Sequence, residues 1–421
     1  MTYKSIKGTK DLLPSESWKW QWVEGKIRDV MLVFNFREIR TPVFEETPLF
    51  SRSIGELTDI VSKEMYSFQD RSGDSLSLRP EMTASVVRAY IQHSLGEQFP
   101  LVKVYYIGPM FRQERPQAGR LRQFHQFGAE AIGAQNPTLD VEMIALAIAV
   151  YEALGLKKTA LRINSVGCEN CRPAYKELLK QSLWKVRDEL SLDSQRRLES
   201  NPLRVLDSKA EEDQRAIVGI PLLRDHLCAD CLAHINGVID GLKDLGISYE
   251  EDGRLVRGLD YYTKTAFEII SKDLGAQDAL TGGGRYDLLT EELGGKRTPG
   301  IGFAAGMERL MTVLEKQKLI PDGDKRITLF IAALGREAQR WAMKQALELR
   351  RRGLSVELDF LDRSLKSQMR EADRLQARYV MIVGENEMIN RTVTVKTMET
   401  GEQKSVAFAD VTSFFNTSGN D

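Results

Sequence analysis

Apolar residues recur at helical spacing over residues 15–35, at Trp18, Trp22, Val23, Ile27, Val30 and Met31, and the pattern then turns extended from Phe36 to Phe44, interrupted at Pro42. A helix followed by a strand opens the chain. Leu101 to Ile107 is a short β-type run; with Gly108-Pro109, a polar stretch at 115–119 and a second extended stretch from Arg122 to Ile132, it predicts an antiparallel hairpin with a long polar loop. Residues 138–154 are amphipathic and stop at Gly155, and Leu161 to Ser165 begins another strand. From about Gly167 to Gly246 the chain is charge-rich and mostly helical, which reads as an insertion. The strand-and-helix pattern resumes with Leu255 to Tyr262 and Ala266 to Ile270. A Gly282-Gly283-Gly284 turn follows, and Gly300 to Gly306 leads into a helix from Met307 to about Gln317. Beyond the polar linker Pro321-Asp322-Gly323-Asp324, strands at 327–333, 354–359 and 379–384 alternate with helices at 336–352 and 364–377, as in a small α/β domain. The expected organisation is one domain built from 1–166 and 249–320, interrupted by a helical insertion at 167–248, and a second domain at 326–421.

Composition narrows the class. At 421 residues the chain exceeds a single core, and 42% hydrophobic with 28% charged residues is a folded composition, not a disordered one. Lys plus Arg number 59 against 60 Asp plus Glu, so no global positive field draws in a polyanion and any nucleic-acid contact must use local patches. No apolar run approaches the ~18–20 residues of a membrane span. The opening MTYKSIKGTKDLLPSE lacks signal-peptide features, so a cytoplasmic location is expected.

Several constellations carry chemistry. Arg112 and Glu114, two apart in an extended segment, share a face; they make a cation and a carboxylate looking into one cleft, or a surface pair. In Arg122 to Glu130, alternation sets Gln126, Gly128 and Glu130 on one face and Phe127 and Ala129 on the other. Arg257-Gly258-Leu259-Asp260-Tyr261-Tyr262 holds a guanidinium and two phenols, each needing a partner if buried, the plain alternative being a core tyrosine pair. The triple glycine at 282–284 reads as a tight turn before it reads as a close approach to a ligand. Arg309, at the start of a helix, suits an anion or a pair with Glu308. Neither a P-loop nor a dinucleotide fingerprint occurs. Cys168-x-x-Cys171 and Cys228-x-x-Cys231 fit one tetrahedral Zn²⁺ clamping both ends of the insertion; free thiols or disulfides remain open, and His234 is a possible substitute ligand.

Together these residues resemble the class II aminoacyl-tRNA synthetases and, among them, the bacterial histidyl-tRNA synthetase family, across essentially the whole chain. The carriers are Lys7-Gly8-Thr9-Lys10-Asp11, a motif-1-like Arg40-Thr41-Pro42-Val43-Phe44-Glu45, and Leu78-Arg79-Pro80-Glu81-Met82-Thr83. A motif-2-like run from Phe111 to Arg120, the Arg257–Tyr262 segment, Gly282-Gly283-Gly284-Arg285-Tyr286-Asp287 and a motif-3-like run from Gly302 to Arg309 complete them. The resemblance implies an α+β catalytic domain with an antiparallel sheet flanked by helices, a homodimer through the motif-1-like segment, and a C-terminal α/β anticodon-binding domain. It implies ATP with Mg²⁺, histidine and histidine tRNA as substrates. By this likeness Arg112 binds the α-phosphate, Arg309 the γ-phosphate and Glu114 the adenine end, while Arg257 supplies charge at the reacting phosphate. Glu81 and Thr83 would meet the α-amino group. Arg112, Gln126 and Arg257 would lie near the carboxylate, Glu130 and Tyr262 would read the imidazole, and Tyr261 would line the pocket. Arg115, Gln117 and Gly119 match the loop that approaches the tRNA acceptor end. The paired cysteines occur in only a subset of the family, so the zinc expectation rests on spacing. The competing resemblance is the synthetase-like regulatory subunit of ATP phosphoribosyltransferase, a histidine sensor that typically lacks the C-terminal domain and has degraded ATP and tRNA motifs.

Overall fold

Proline at the first turn starts helix α1 (Pro14–Val33), where a missing N–H costs nothing, and Trp20, Val23, Ile27 and Met31 form its single buried stripe. The structure, a computed structural model, describes residues 2–55, 58, 60–115, 120–275, 278–321 and 327–417. The chain divides into two compact units, Met1–Pro321 and Asp322–Asp421.

The first unit is built on an eight-stranded sheet of β1 (Arg37–Glu38), β2 (Val102–Phe111), β3 (Gln123–Ile132), β4 (Ala160–Ser165), β5 (Glu250–Glu251), β6 (Thr263–Ile270), β7 (Ala279–Arg285) and β8 (Gly300–Gly306). Their spatial order is β1-β2-β3-β8-β7-β6-β4-β5. Pairing is antiparallel except at the two short edge strands. The hairpin expected around 101–132 is its longest ladder, running from Val102 opposite Ile132 to Phe111 opposite Gln123.

Register decides which residues face the site. Phe127, Ala129, Ile301 and Phe303 turn to one face, where α1 and the long helix α2 (Pro137–Ala153) close the main core. Gln126, Gly128 and Glu130 alternate onto the opposite face. Between β5 and β6 the chain turns irregularly from Asp252 to Tyr262, so the Leu255–Tyr262 stretch is not itself a strand. Gly282 to Gly284 is likewise not a turn: all three glycines lie inside β7, paired to β6 and β8.

The segment after β4 folds as helices α3 (Arg172–Trp184), Leu192–Ser200, Leu203–Leu206, Glu211–Ala216 and α4 (Ala229–Asp244). Most of these share a separate small core of Tyr175, Leu179, Leu183, Leu198, Val205 and Leu223.

In the second unit, Leu329–Ala333 is the inner parallel strand of a five-stranded sheet. Leu329 and Ile331 pack with the helix Arg336–Arg351, and Phe330 and Ala332 with Ala372 on the helix Leu365–Arg374. Two further antiparallel strands, Thr392–Thr397 and Gln403–Ala407, extend this sheet beyond the alternation read from the sequence. Only Val393, Val395 and Val406 in them are buried. No helix among the described residues is long and apolar enough to cross a membrane.

Candidate active site

Arg112 and Glu114 lie just past the end of β2, where one extra hydrogen bond, Arg112 N–H to the Arg122 carbonyl at 2.9 Å, prolongs the hairpin. They are not a surface pair. The Arg112 guanidinium donates from Nε to the Pro80 carbonyl at 3.0 Å and lies 5.3 Å from the Phe124 ring centre. Its Nη1 is 3.8 Å from Glu114 Oε1, while Glu114 Oε2 is 3.1 Å from Arg120. Arg309, in the first turn of helix α5 (Met307–Lys316), donates to the Ala279 carbonyl at 2.9 Å. Glu308 beside it turns away and accepts from the His125 backbone N–H at 2.9 Å, so Arg309 and Glu308 do not pair. Burial, reinforced by the nearby Arg120 and Arg112 charges, pulls the Arg309 pKa down. Glu114 and Glu268 oppose that shift.

Arg257 comes from the irregular chain before β6. Its guanidinium pairs with Glu268 on β6 and lies 5.9 Å from the Tyr262 ring centre, and its buried Nε has no hydrogen-bond partner. It reaches across β7 because residue 282 is glycine: a Cβ there would stand 1.8 Å from Arg257 Nη2. Arg112, Glu114, Gln126, Arg257, Thr281 and Arg309 thus line one cleft of about 210 Å³, into which the buried, unpartnered Gln126 Oε1 also falls.

Gln126, in this cleft, shares β3 with Glu130, the centre of a buried polar cluster. Glu130 is wholly inaccessible; its Oε1 accepts from Thr83 Oγ1 at 2.8 Å and Tyr106 at 3.5 Å, and its Oε2 from Tyr286 at 2.6 Å. Burial pushes its carboxyl up to about 8 against those hydrogen bonds. Glu81 is also buried, and accepts from the backbone N–H of Thr83 at 2.7 Å and of Ala84 at 2.8 Å, at the start of the helix Thr83–Gln92. Burial shifts it upward as well. Tyr261 packs on Tyr262 and Tyr286 at ring-centre distances of 4.7 and 5.9 Å. Tyr106 and Glu268 escaped the sequence reading, and Tyr286 entered it only as part of the Gly282–Asp287 motif, with no place in the site. The available signal was glycine on a polar face: Gly128 lies opposite Tyr106 in the ladder, and a Cβ there would meet its hydroxyl at 2.4 Å.

A family model described as histidyl-tRNA synthetase matches residues 8–310, and one described as anticodon binding domain matches 328–417. A histidine–tRNA ligase of Halothermothrix orenii is 50% identical over 411 residues, 98% of each chain. The chain belongs to the histidyl-tRNA synthetase family. The apo Staphylococcus aureus histidyl-tRNA synthetase superposes with a TM-score of 0.83 at 40% identity, covering 98% of this chain and 100% of that one. A Bacillus halodurans protein titled ATP phosphoribosyltransferase regulatory subunit/histidyl-tRNA synthetase shares the fold at 21% identity and a TM-score of 0.66, covering 91% of this chain and 99% of that one.

Of the residues that the histidyl-tRNA synthetase resemblance assigns to the acceptor end of tRNA, Arg115 is exposed, and Gln117 and Gly119 lie outside the described residues. The four cysteines, remote in sequence, bring their sulfurs within 4.8 Å of one another, and none is in a disulfide. His234 is not among them. Its Nε2 is 2.7 Å from the buried carboxylate of Asp140, which also accepts from Thr265 and Arg285.

Proposed function

We propose that this chain activates histidine with ATP and transfers it to the 3′-terminal adenosine of histidine tRNA. The observation that carries this reading is the convergence of Arg112, Arg257 and Arg309 on one cleft that also takes in Gln126, on the same face of β3 as the buried Glu130. In the first step the histidine carboxylate attacks the α-phosphate, the bond to the β-phosphate breaks, and pyrophosphate leaves. Arg112 and Arg257 flank the phosphate that gains charge, Arg309 holds the γ-phosphate, and Glu114 meets the adenine end. Fixed guanidinium groups in a low-dielectric cleft favour that charge more than water does. Mg²⁺ enters with ATP as part of the substrate. In the second step a ribose hydroxyl of the tRNA attacks the acyl carbon and releases AMP.

Gln126 stands near the amino acid carboxylate, and Glu81 and Thr83 near its α-amino group. Glu130 and Tyr262 read the ring nitrogens, with Tyr261 lining the site. A pocket of buried polar groups rejects a ligand lacking matching atoms by ~10⁴–10⁵, because its own groups would be left unpaired. Arg115, Gln117 and Gly119 serve the acceptor end, and residues 326–421 read the anticodon as splayed single-stranded bases. The chain works as a cytoplasmic homodimer through residues 40–45, a reading supported by the exposed Val43 and Phe44. Cys168, Cys171, Cys228 and Cys231 hold a structural Zn²⁺, which suits four convergent thiols and would stabilise the insertion without an open position for catalysis.

The histidine-sensor reading is weaker, because a sensor has no need of three phosphate-facing arginines or of the 328–417 match. The test is histidine-dependent exchange of pyrophosphate into ATP, run with several amino acids. Exchange with histidine alone is expected; folded, ATP-binding protein that exchanges with none would overturn the reading.

A further inference from the structure

We propose that the four-cysteine cluster is a clamp that positions the histidine pocket through Arg172, a residue with no place in the chemistry described above. The proposal rests on the zinc reading and extends it. A zinc ion bound by four thiolates at about 2.3 Å requires sulfurs about 3.8 Å apart, whereas a disulfide requires about 2.05 Å. Cys168 lies 3.8 Å from Cys171 and 3.7 Å from Cys228, and Cys171 lies 3.9 Å from Cys231. Backbone N–H groups already point at two of the sulfurs, Cys168 N to Cys171 Sγ at 3.3 Å and Asn170 N to Cys168 Sγ at 3.4 Å, as suits thiolates.

Arg172 follows Cys171 directly and begins α3. Its guanidinium gathers three backbone carbonyls, Val166 at 3.0 Å, Gly167 at 3.2 Å and Tyr262. Two backbone hydrogen bonds then tie the same segment to the start of β6: Val166 N to the Lys264 carbonyl at 2.7 Å and Lys264 N to the Gly167 carbonyl at 2.8 Å. Lys264 has a φ of +49°, a left-handed backbone that an ordinary side chain adopts only where its surroundings hold it. Tyr262, held from behind by Arg172, presents its ring to Tyr261 and Arg257.

The other half of the cluster starts α4, the helix that carries His234 to Asp140. Joining Cys168 and Cys171 to Cys228 and Cys231 therefore fixes the segment that leaves β4 against the start of α4. Without a metal, the segment from Val166 to Arg172 keeps its hydrogen bonds but loses the anchor that sets their position. Arg172 is thus a positioning residue, and its effect should fall on histidine and spare ATP.

The experiment uses the full chain. Elemental analysis should find one zinc per chain, lost in Cys168→Ser/Cys228→Ser. Arg172→Ala should retain zinc, raise the histidine KM on the order of tenfold, leave the ATP KM within about twofold, and be partly rescued by Arg172→Lys. Calorimetric titration of chelator-stripped protein should show histidine binding weakened on the order of tenfold and restored by zinc. Protein that carries no zinc as purified and yet binds histidine with full affinity overturns both the zinc reading and the clamp. Zinc-loaded Arg172→Ala with an unchanged histidine KM overturns the clamp alone and leaves the zinc reading standing. If Arg172→Ala does not fold, the stripped protein decides: unchanged histidine affinity, or global unfolding by circular dichroism, overturns the clamp.

Discussion

Glu130 is a carboxyl with no access to water, and three hydroxyls do not make up for its lost hydration. Its pKa, raised from 4.5 to about 8, means that the folded chain holds this proton more tightly than the unfolded chain does. The ligand-free protein therefore loses stability as pH rises from about 4.5 to about 8, and below that window the penalty is absent. Glu130→Gln removes the ionisation while keeping the shape. Its Tm is expected to overtake the parent's by about 2–4 °C or more between pH 5 and 8.5, while histidine affinity falls at least about a hundredfold. Scanning calorimetry across that range checks the first, and a parent equally or more stable at pH 8.5 contradicts the assignment. Arg257 differs from Glu130 in that it already has Glu268 as a partner, and its value lies in the charge it offers when phosphate enters. Arg257→Ala is expected to lower the adenylation rate by about 10²–10³ and to raise the ATP KM only severalfold, as stopped-flow kinetics would read. Equal effects on both would contradict a role specific to the reacting state. The three arginines were legible as a set only through the family resemblance, since spacing alone left Arg112 and Arg309 equally readable as surface pairs. Tyr106 and Glu268 were not, because a strand residue declares its role only once its register is known, and Tyr286 stood in a quoted motif with no role attached to it.

At the scale of elements, β7 and β8 make the site by what they leave out. Gly282 gives room to Arg257, and a Cβ at Gly302 would stand 1.6 Å from Glu130 Oε2. Small residues on two neighbouring strands let side chains from outside that strand pair lie across the sheet, so the cavity is cut into a ladder whose hydrogen bonds remain complete. Gly282→Ala is therefore expected to reproduce most of the Arg257→Ala defect in adenylation, with far-ultraviolet circular dichroism unchanged; full activity would show that Arg257 works from another position. The misread turn at 282–284 has the same origin, because a glycine run carries no periodicity and its neighbours come from distant sequence. Elements with a strong stripe were legible to within a few residues, as α1 and the hairpin of β2 and β3 show. The strands Thr392–Thr397 and Gln403–Ala407 were missed because Thr, Lys, Gln and Ser dominate them and few of their side chains are buried.

For the whole molecule, the proposed dimer has a physical route to the active site. Arg79 is almost fully buried, and its guanidinium donates to the carbonyls of Thr41 at 2.8 Å, Pro42 at 3.1 Å and Pro109 at 2.9 Å. Its own backbone pairs with Val43 and Phe111 at 3.0 Å each. One residue therefore ties the segment proposed as the interface to the end of β2, directly before Arg112. Removing Arg79 would take the donor away from three carbonyls and leave the 41–43 segment untied from β2, so it is a poor probe of the interface itself. Phe44 is a better one, because its half-exposed ring takes no part in those bonds and a charge there opposes only association. Sedimentation velocity at micromolar protein should show a dimer for the parent and a monomer for Phe44→Glu. Exchange activity should fall at least about tenfold in that variant and recover in part at higher protein concentration, since mass action returns the partner. A monomeric parent with full activity would exclude the dimer as a requirement. A monomeric variant with full activity would show that Arg79 holds the end of β2 without help from a partner.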